Sequence, residues 1–287
     1  VSGQVIDLTG GFGVDAYYFS RQADSVVHCE INDDLSAIAK HNAEVLGRSN
    51  LTFLDTDGIA YLQTVDRKFD TIYIDPARRS DSGKVFMLKD CSPNVVAHID
   101  LLLEKAVQVI IKTSPLLDIT AGIRELKDVA EVHVLSTRNE CKELLFILRK
   151  DNKTTPKIVS TTINEDVKHF ESFPDQQTEV KIAEHLLQYI YEPDVALLKS
   201  GAFTRIGECY HLEKLHDQTQ LYTSSDLNTA FPGRIFQVDE VITTSALKKM
   251  KGLTGNVIVR SYPDKAEQLV KKYKIKPSKD GFLIFTL

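Results

Sequence analysis

The chain has 287 residues, 43% of them hydrophobic and 26% charged, with a formal net charge of −5. That length supports two separate cores, and the acidic balance excludes a protein that coats nucleic acid uniformly. No run approaches the ~20 apolar residues of a membrane-spanning helix, and no basic-then-apolar leader opens the sequence.

The charge is unevenly spread. Residues 245–287 carry ten Lys or Arg against three acids, a net of +7, so the rest of the chain carries −12. A basic end on an acidic body is the pattern of a local polyanion-binding surface, and equally of a solvated lysine-rich face. The cysteines, Cys29, Cys91, Cys141 and Cys209, are scattered, with no Cys-x-x-Cys pair and no histidine at metal spacing. Neither a disulfide framework nor a metal site is expected, and a reducing cytoplasm fits. The first strand signal begins a few residues after Val1, so a segment preceding it is also expected.

In chain order, Val5, Ile6 and Leu8 suit a central parallel strand, and Gly10, Gly11 and Gly13 then allow a tight turn and close approach of backbone to a ligand. The pattern predicts a helix over 15–21, a strand over 25–31, a helix over 34–46 stopped by Gly47, a strand over 51–54, a helix over 58–64 and a strand over 69–74. Ser92-Pro93 reads as an N-cap followed by proline at the first helical position, opening a helix to about residue 106. A strand over 107–111, a helix over 119–126 and strands over 132–136 and 143–149 follow. Strands alternating with helices give a mostly parallel sheet covered on both faces. The last two strands, too close for a crossover, give an antiparallel hairpin at its edge.

The polar run 151–156 reads as a linker between a first domain over 1–150 and a second, smaller α/β or α+β domain over 157–287. There a strand over 158–163, a helix over 179–191, helices over 195–199 and 203–212, and strands over 220–222 and 235–241 are expected. Alternating helix and strand then run to the end.

An open α/β sheet binds its ligand beyond the carboxyl ends of its strands, where strand order reverses. Reading strand by strand, that edge receives the glycine turn, Glu30, Asp57, Asp75 to Arg79 and Lys112 to Pro115. Glu30 can accept hydrogen bonds from both hydroxyls of a ribose, or be a plain surface acid. Asp57 can read an adenine amino group or cap the helix that follows. Asp7 lies inside an apolar strand and needs a partner, either the N–H groups of its own turn or the positive end of a ligand. A dinucleotide-dependent oxidoreductase shares the glycine turn and the acid after the second strand, but Ala16 stands where its third glycine would be.

Asp7-Leu8-Thr9-Gly10-Gly11-Phe12-Gly13, then Glu30, Asp57, Asp75-Pro76 and the terminal hairpin resemble class I S-adenosylmethionine-dependent methyltransferases, over residues 1–150. The resemblance implies a Rossmann-like methyltransferase sheet. It also implies that Thr9, Gly10, Gly11 and Gly13 border the methionine part of the cofactor beside Asp7, that Glu30 holds the ribose and that Asp57 reads the adenine. The run Asp75-Pro76-Ala77-Arg78-Arg79 resembles bacterial methyltransferase-like proteins with a THUMP-like C-terminal domain. Glu192-Pro193-Asp194, Lys199-Ser200-Gly201 and Phe231-Pro232-Gly233-Arg234 point the same way. THUMP domains are associated with RNA, chiefly transfer RNA.

Asp75, Pro76 and Arg78 are the expected catalytic residues. Asp75 orients or deprotonates a nucleophile, and Arg78 stacks on a base or grips a phosphate. Ala77 replaces the second proline, and Arg78 the aromatic, of the run that methylates base amino groups. A related group with an Asp-Pro-Pro-Arg run uses a cysteine after the next strand, where this chain has Lys112-Thr113-Ser114-Pro115, so covalent attack on a pyrimidine is not expected. The expected function is methylation of a tRNA or rRNA base. The alternatives are a methyltransferase-fold RNA-binding protein without catalysis and a small-molecule methyltransferase.

Overall fold

The apolar run that opens the chain becomes β1 (Gln4–Asp7), whose last three residues are buried. The computed structural model describes residues 1–78, 87–174, 178–250 and 252–287 and divides into two units, Val1–Ile163 and Asn164–Leu287.

In the first unit, β1 is followed by α1 (Val14–Ser20), β2 (Ser25–Glu30), α2 (Asp33–Val45), β3 (Leu51–Asp55), α3 (Gly58–Thr64) and β4 (Phe69–Ile74). Next come a two-residue pair, β5 (Ala77–Arg78) with β6 (Cys91–Ser92), then α4 (Val95–Lys105), β7 (Ala106–Thr113), α5 (Ile119–Glu125), β8 (Val129–Thr137), β9 (Glu140–Leu148) and β10 (Lys157–Ile163). The sheet order in this unit is β3-β2-β1-β4-β7-β9-β8-β10. All its strands are parallel except β9, which is antiparallel to both neighbours. β1 and β4 are buried almost throughout, as central parallel strands covered by helices must be. This is the Rossmann-like α/β sheet that the sequence implies.

Three expectations change here. The β8–β9 hairpin does not form the edge of the sheet, because β10 pairs in parallel with β8 over residues 157–162. The polar run 151–156 therefore connects strands of one sheet, and the two units part after Ile163. Ser92 does not cap α4 but pairs with Ala77, and Asn94 takes the capping role, its Oδ1 accepting from the Ala97 N–H at 3.1 Å. β7 also extends two residues further than expected, so Lys112 and Thr113 lie within the strand.

The second unit contains β11 (Val167–Ser172), β12 (Tyr189–Pro193), α6 (Val195–Ser200), α7 (Phe203–Tyr210), β13 (Glu213–Lys214), β14 (Tyr222–Ser224) and β15 (Gly233–Gln237). It ends with α8 (Thr244–Leu247), β16 (Asn256–Val259), α9 (Ala266–Tyr273) and β17 (Phe282–Phe285). β13-β14-β12-β15 form an antiparallel sheet. Phe170, Tyr191, Leu197, Ile206, Tyr222 and Phe231 are among the residues of its core. Buried hydroxyls are anchored: Tyr191 donates to the Asp226 carbonyl at 2.8 Å and Tyr222 to the Phe203 carbonyl at 2.7 Å. β16 and β17 pair in parallel, joined through α9, over a second small core that includes Leu247, Leu269 and Phe285.

The helix expected over 179–191 is absent. Residues 178–188 form only an isolated bridge from Ile182 to Lys214, and Tyr189, Ile190 and Tyr191 enter the centre of the sheet. These are β-branched and aromatic residues, so strand preference and burial on both faces override a spacing that also suits a helix. β11 has no counterpart in the sequence reading.

Gly58 sets how closely α3 approaches the end of β1, since a Cβ there would lie 2.5 Å from the Leu8 carbonyl oxygen. Gly58→Ala is expected to destabilise the protein by about 1–3 kcal/mol in urea unfolding, because the obstacle is backbone. Gly47, with φ 69° and open space around it, should tolerate Asn with a change of about 0.5 kcal/mol or less.

Candidate active site

β1 pairs with β2 on one side and β4 on the other, so the connections run outward in opposite directions and leave a crevice beyond the carboxyl ends of β1 and β4. The glycine turn and Asp75 meet there. The Thr9 hydroxyl accepts the Asp75 N–H at 2.7 Å and lies 3.5 Å from Asp7 Oδ1, which accepts the Thr9 N–H at 3.0 Å. Thr9 therefore ties the ends of the two central strands together.

The turn is held from β2 as well. The Gly10 N–H donates to the Cys29 carbonyl at 2.8 Å, and the Gly11 N–H to Glu30 Oε2 at 2.8 Å, while Glu30 Oε1 accepts the Asn32 N–H at 2.9 Å. Gly13 sits at φ 76°, a left-handed conformation, and its carbonyl starts α1 by accepting the Tyr17 N–H. A Cβ on Gly10 would strike the buried His28 ring at 2.2 Å, whereas Gly11 faces open space. Phe12 and Ile31, beside the turn and beside Glu30, are exposed apolar side chains at 60% and 75%. Asp57 caps α3, its Oδ1 accepting the Ala60 N–H at 2.9 Å.

The remaining strand ends bring acids together. Lys112 of β7 lies 2.9 Å from Asp75 and 3.0 Å from Asp15, and Asp15 also accepts the Tyr73 hydroxyl at 2.8 Å. Burial pulls the Lys112 ammonium down, but its bonds to Asp75 and Asp15 outweigh that and hold it charged. Glu143 of β9 lines the same cavity of about 320 Å³ as Asp75, Pro76, Lys112 and Ser114. Burial raises the Glu143 carboxyl, Lys112 opposes, and Asp15 and Asp75 push it further up. Asp7, 1% exposed, is pushed up to about 7, chiefly by burial and also by Asp15 and Asp75, against the Thr9 N–H and Lys112.

Asp7, Thr9, Gly10, Gly11 and Gly13 are thus brought together with Asp75, while Glu30 joins through its bond to Gly11. Asp57 is placed as the cap of the helix after β3. Arg78 contributes its backbone to β5, but its side chain, and all of Arg79, lie outside the described residues. Sequence reasoning missed Asp15, Tyr73 and Glu143. Asp15 reads as an ordinary acid in a first helical turn, and Tyr73 and Glu143 as ordinary strand residues.

A family model for a ferredoxin-like domain matches residues 189–232. The 23S rRNA (uracil(1939)-C(5))-methyltransferase RlmD of Photobacterium angustum is 33% identical over 100 residues, which are 33% of this chain and 45% of that protein. An uncharacterized RNA methyltransferase of Mycoplasma mobile is 37% identical over 75 residues, 26% of this chain and 21% of its own length. The chain thus spans less than half the length of these curated relatives. The crystal structure of a candidate methyltransferase from Porphyromonas gingivalis W83 superposes with a TM-score of 0.86 and 31% identity, covering 98% of this chain and 73% of that one. With both units matched in that superposition, the chain belongs to the methyltransferase family of the Porphyromonas gingivalis protein.

Proposed function

We propose that this protein binds S-adenosylmethionine and methylates a base of ribosomal or transfer RNA. The observation that carries the reading is a charge imbalance: Asp7, Asp15, Asp75 and Glu143 share the ammonium of Lys112. A site so short of positive charge suits a ligand bearing an ammonium and a sulfonium.

The residues fit that ligand. Asp7 would face the ammonium of the methionine part, the glycine turn would lie along that part, and Gly11 leaves the space open. Glu30 spends one lone pair of Oε2 on the Gly11 N–H and one of Oε1 on the Asn32 N–H, and those remaining would accept the ribose hydroxyls. Asp57 keeps Oδ2 for the adenine amino group while Oδ1 caps α3. Bound there, the cofactor supplies an electrophilic methyl on sulfur, and the protein's task is alignment and exclusion of water.

Asp75, fixed by Lys112 and through its own N–H by Thr9, would accept a hydrogen bond from the nucleophilic group of the base. Glu143, held less acidic than usual, would take the proton. The name of the Photobacterium angustum relative specifies uracil C5, a carbon that needs covalent activation. Among the described residues no cysteine lines the cavity, and burial pushes the Cys29 thiol up to about 12, so a nitrogen or oxygen acceptor suits this site better. Arg78 would stack on the base or hold its phosphate. We read the first unit, Val1–Ile163, as the catalytic domain and the second, Asn164–Leu287, as an accessory domain that presents RNA, its THUMP-like character resting on the segments quoted above. No described helix is long and apolar enough to cross a membrane, and the scattered cysteine spacing of the sequence accords with a cytoplasmic setting. Asp75's existing ion pair with Lys112 favours, as second reading, an RNA-binding protein without catalysis.

Calorimetric titration with S-adenosylmethionine should show binding that Asp7→Ala and Glu30→Ala each weaken about 10- to 100-fold, the scale of a lost hydrogen bond to a charged group. Asp75→Ala and Glu143→Gln should weaken cofactor binding less than Asp7→Ala does but lower methyl transfer to unmodified tRNA or 23S rRNA transcripts by about 100-fold or more. Cofactor binding without transfer to either RNA would select the second reading.

The Asp7 carboxyl must ionise to meet an ammonium. Cofactor affinity should therefore rise between about pH 6 and pH 8, and binding near pH 7 should release protons, read as a dependence of the heat on buffer ionisation. In the free protein the sign reverses. The fold keeps the Asp7 proton that the unfolded chain loses from about pH 4, so Asp7's contribution to stability falls as pH rises from there to about 7.

A further inference from the structure

Glu192 of β12 is 2% exposed, and a buried carboxylate needs a counter-charge. It has two. Arg234, directly opposite on β15, donates through Nε at 2.6 Å to Oε2 and also pairs through Nη2. Arg260, which follows β16, pairs with Oε1 and donates through Nη1 to the Val259 carbonyl. Gly233 allows this close pairing, since a Cβ there would lie 2.2 Å from the Glu192 carbonyl oxygen.

One guanidinium would neutralise the carboxylate, so the second leaves the cluster with a net positive charge. Both arginine side chains remain at the surface, 42% and 40% exposed, with N–H groups unspent. Their orientations are fixed by hydrogen bonds, so holding a ligand would cost little side-chain entropy. Aromatic rings lie beside them: the Arg234 guanidinium sits 5.6 Å over Phe236, whose ring meets Phe282 edge-on at 4.9 Å, and Phe282 is 41% exposed. Fixed guanidinium groups next to an exposed ring are the means by which proteins hold the phosphate and the base of a single strand.

We propose that Arg234 and Arg260, braced by Glu192, form a phosphodiester-binding site on the second unit, with Phe282 offering its ring to a neighbouring base of the same RNA strand. This rests on the reading of RNA as the substrate. It gives a role to Glu192-Pro193 and to Gly233-Arg234, segments that the methyl-transfer site leaves unused.

The test is fluorescence anisotropy of the full chain with labelled unmodified tRNA and a mixed-sequence single-stranded RNA over a range of salt. Arg260→Gln leaves Glu192 paired with Arg234 and preserves the fold. It should weaken RNA binding several-fold and lower the slope of log affinity against log salt by about 0.7–0.9. Phe282→Ala, which removes no charge, should weaken binding at least about fivefold with the slope unchanged. Neither should alter S-adenosylmethionine binding. Wild-type RNA affinity and slope in both variants, with unchanged melting, would overturn the site, as would a loss of melting temperature with RNA binding intact. Equal competition by polyglutamate would assign the surface to acidic protein segments instead. A wild-type protein that binds neither RNA would overturn the RNA reading itself, and this site with it.

Discussion

The ammonium of Lys112 holds the crevice together. It reaches from β7 to Asp75 at the end of β4 and to Asp15 in the first turn of α1, and so joins three elements by one charge. Removing it would leave Asp15, Asp75, Asp7 and Glu143 facing one another, since Lys142 on the same cavity wall is already paired with Glu140 at 2.6 Å. The geometry therefore imposes its own electrostatic condition: the site is most comfortable when one acid keeps its proton or when a cation enters. Asp7 and Glu143 carry that strain, since the fold makes both weaker acids than usual.

Thr9 performs the matching task among neutral groups. Sheet order reverses between β1 and β4, so nothing in the winding itself closes the gap at their ends; the hydroxyl bridging Asp7 and the Asp75 N–H does. The glycines then serve distinct needs. Gly10 makes room for the buried His28 ring, which burial keeps neutral, and Gly13 supplies the left-handed step into α1. A turn built this way places backbone and carboxylates against the crevice with little freedom left to lose on binding.

The first unit was largely legible because its signals are local. A short apolar run, a glycine-dense turn and an acid at each strand end fix where the sheet presents its chemistry, and Asp7, Glu30, Asp57 and Asp75 could be read off that edge. What was not legible depends on pairing across the chain. Lys112 could be placed at the ligand edge but without a partner, which only the register of β7 against β4 supplies in Asp75, and Glu143 reads as an ordinary strand residue until β9 pairs with β7. Residues 157–163 looked like the start of a new domain because the polar linker before them says nothing of where the next strand pairs. The failure at 179–191 is of another kind. Apolar spacing is a weak guide where aromatic residues are buried on both faces of a strand, and Tyr189-Ile190-Tyr191 follow their strand preference.

The two units handle charge in opposite ways. In the first, acids outnumber the cation that serves them, and the surplus negative charge lies in a crevice suited to a positively charged small molecule. In the second, two cations serve one buried acid, and the surplus positive charge lies at the surface, suited to a polyanion. Because each surplus is held in place by hydrogen bonds within its own unit, the two specificities are separable. The first depends on Lys112 and Thr9 and the second on Glu192. On the proposed reading, bringing a cationic methyl donor to a polyanionic substrate needs this separation, since attraction to one repels the other.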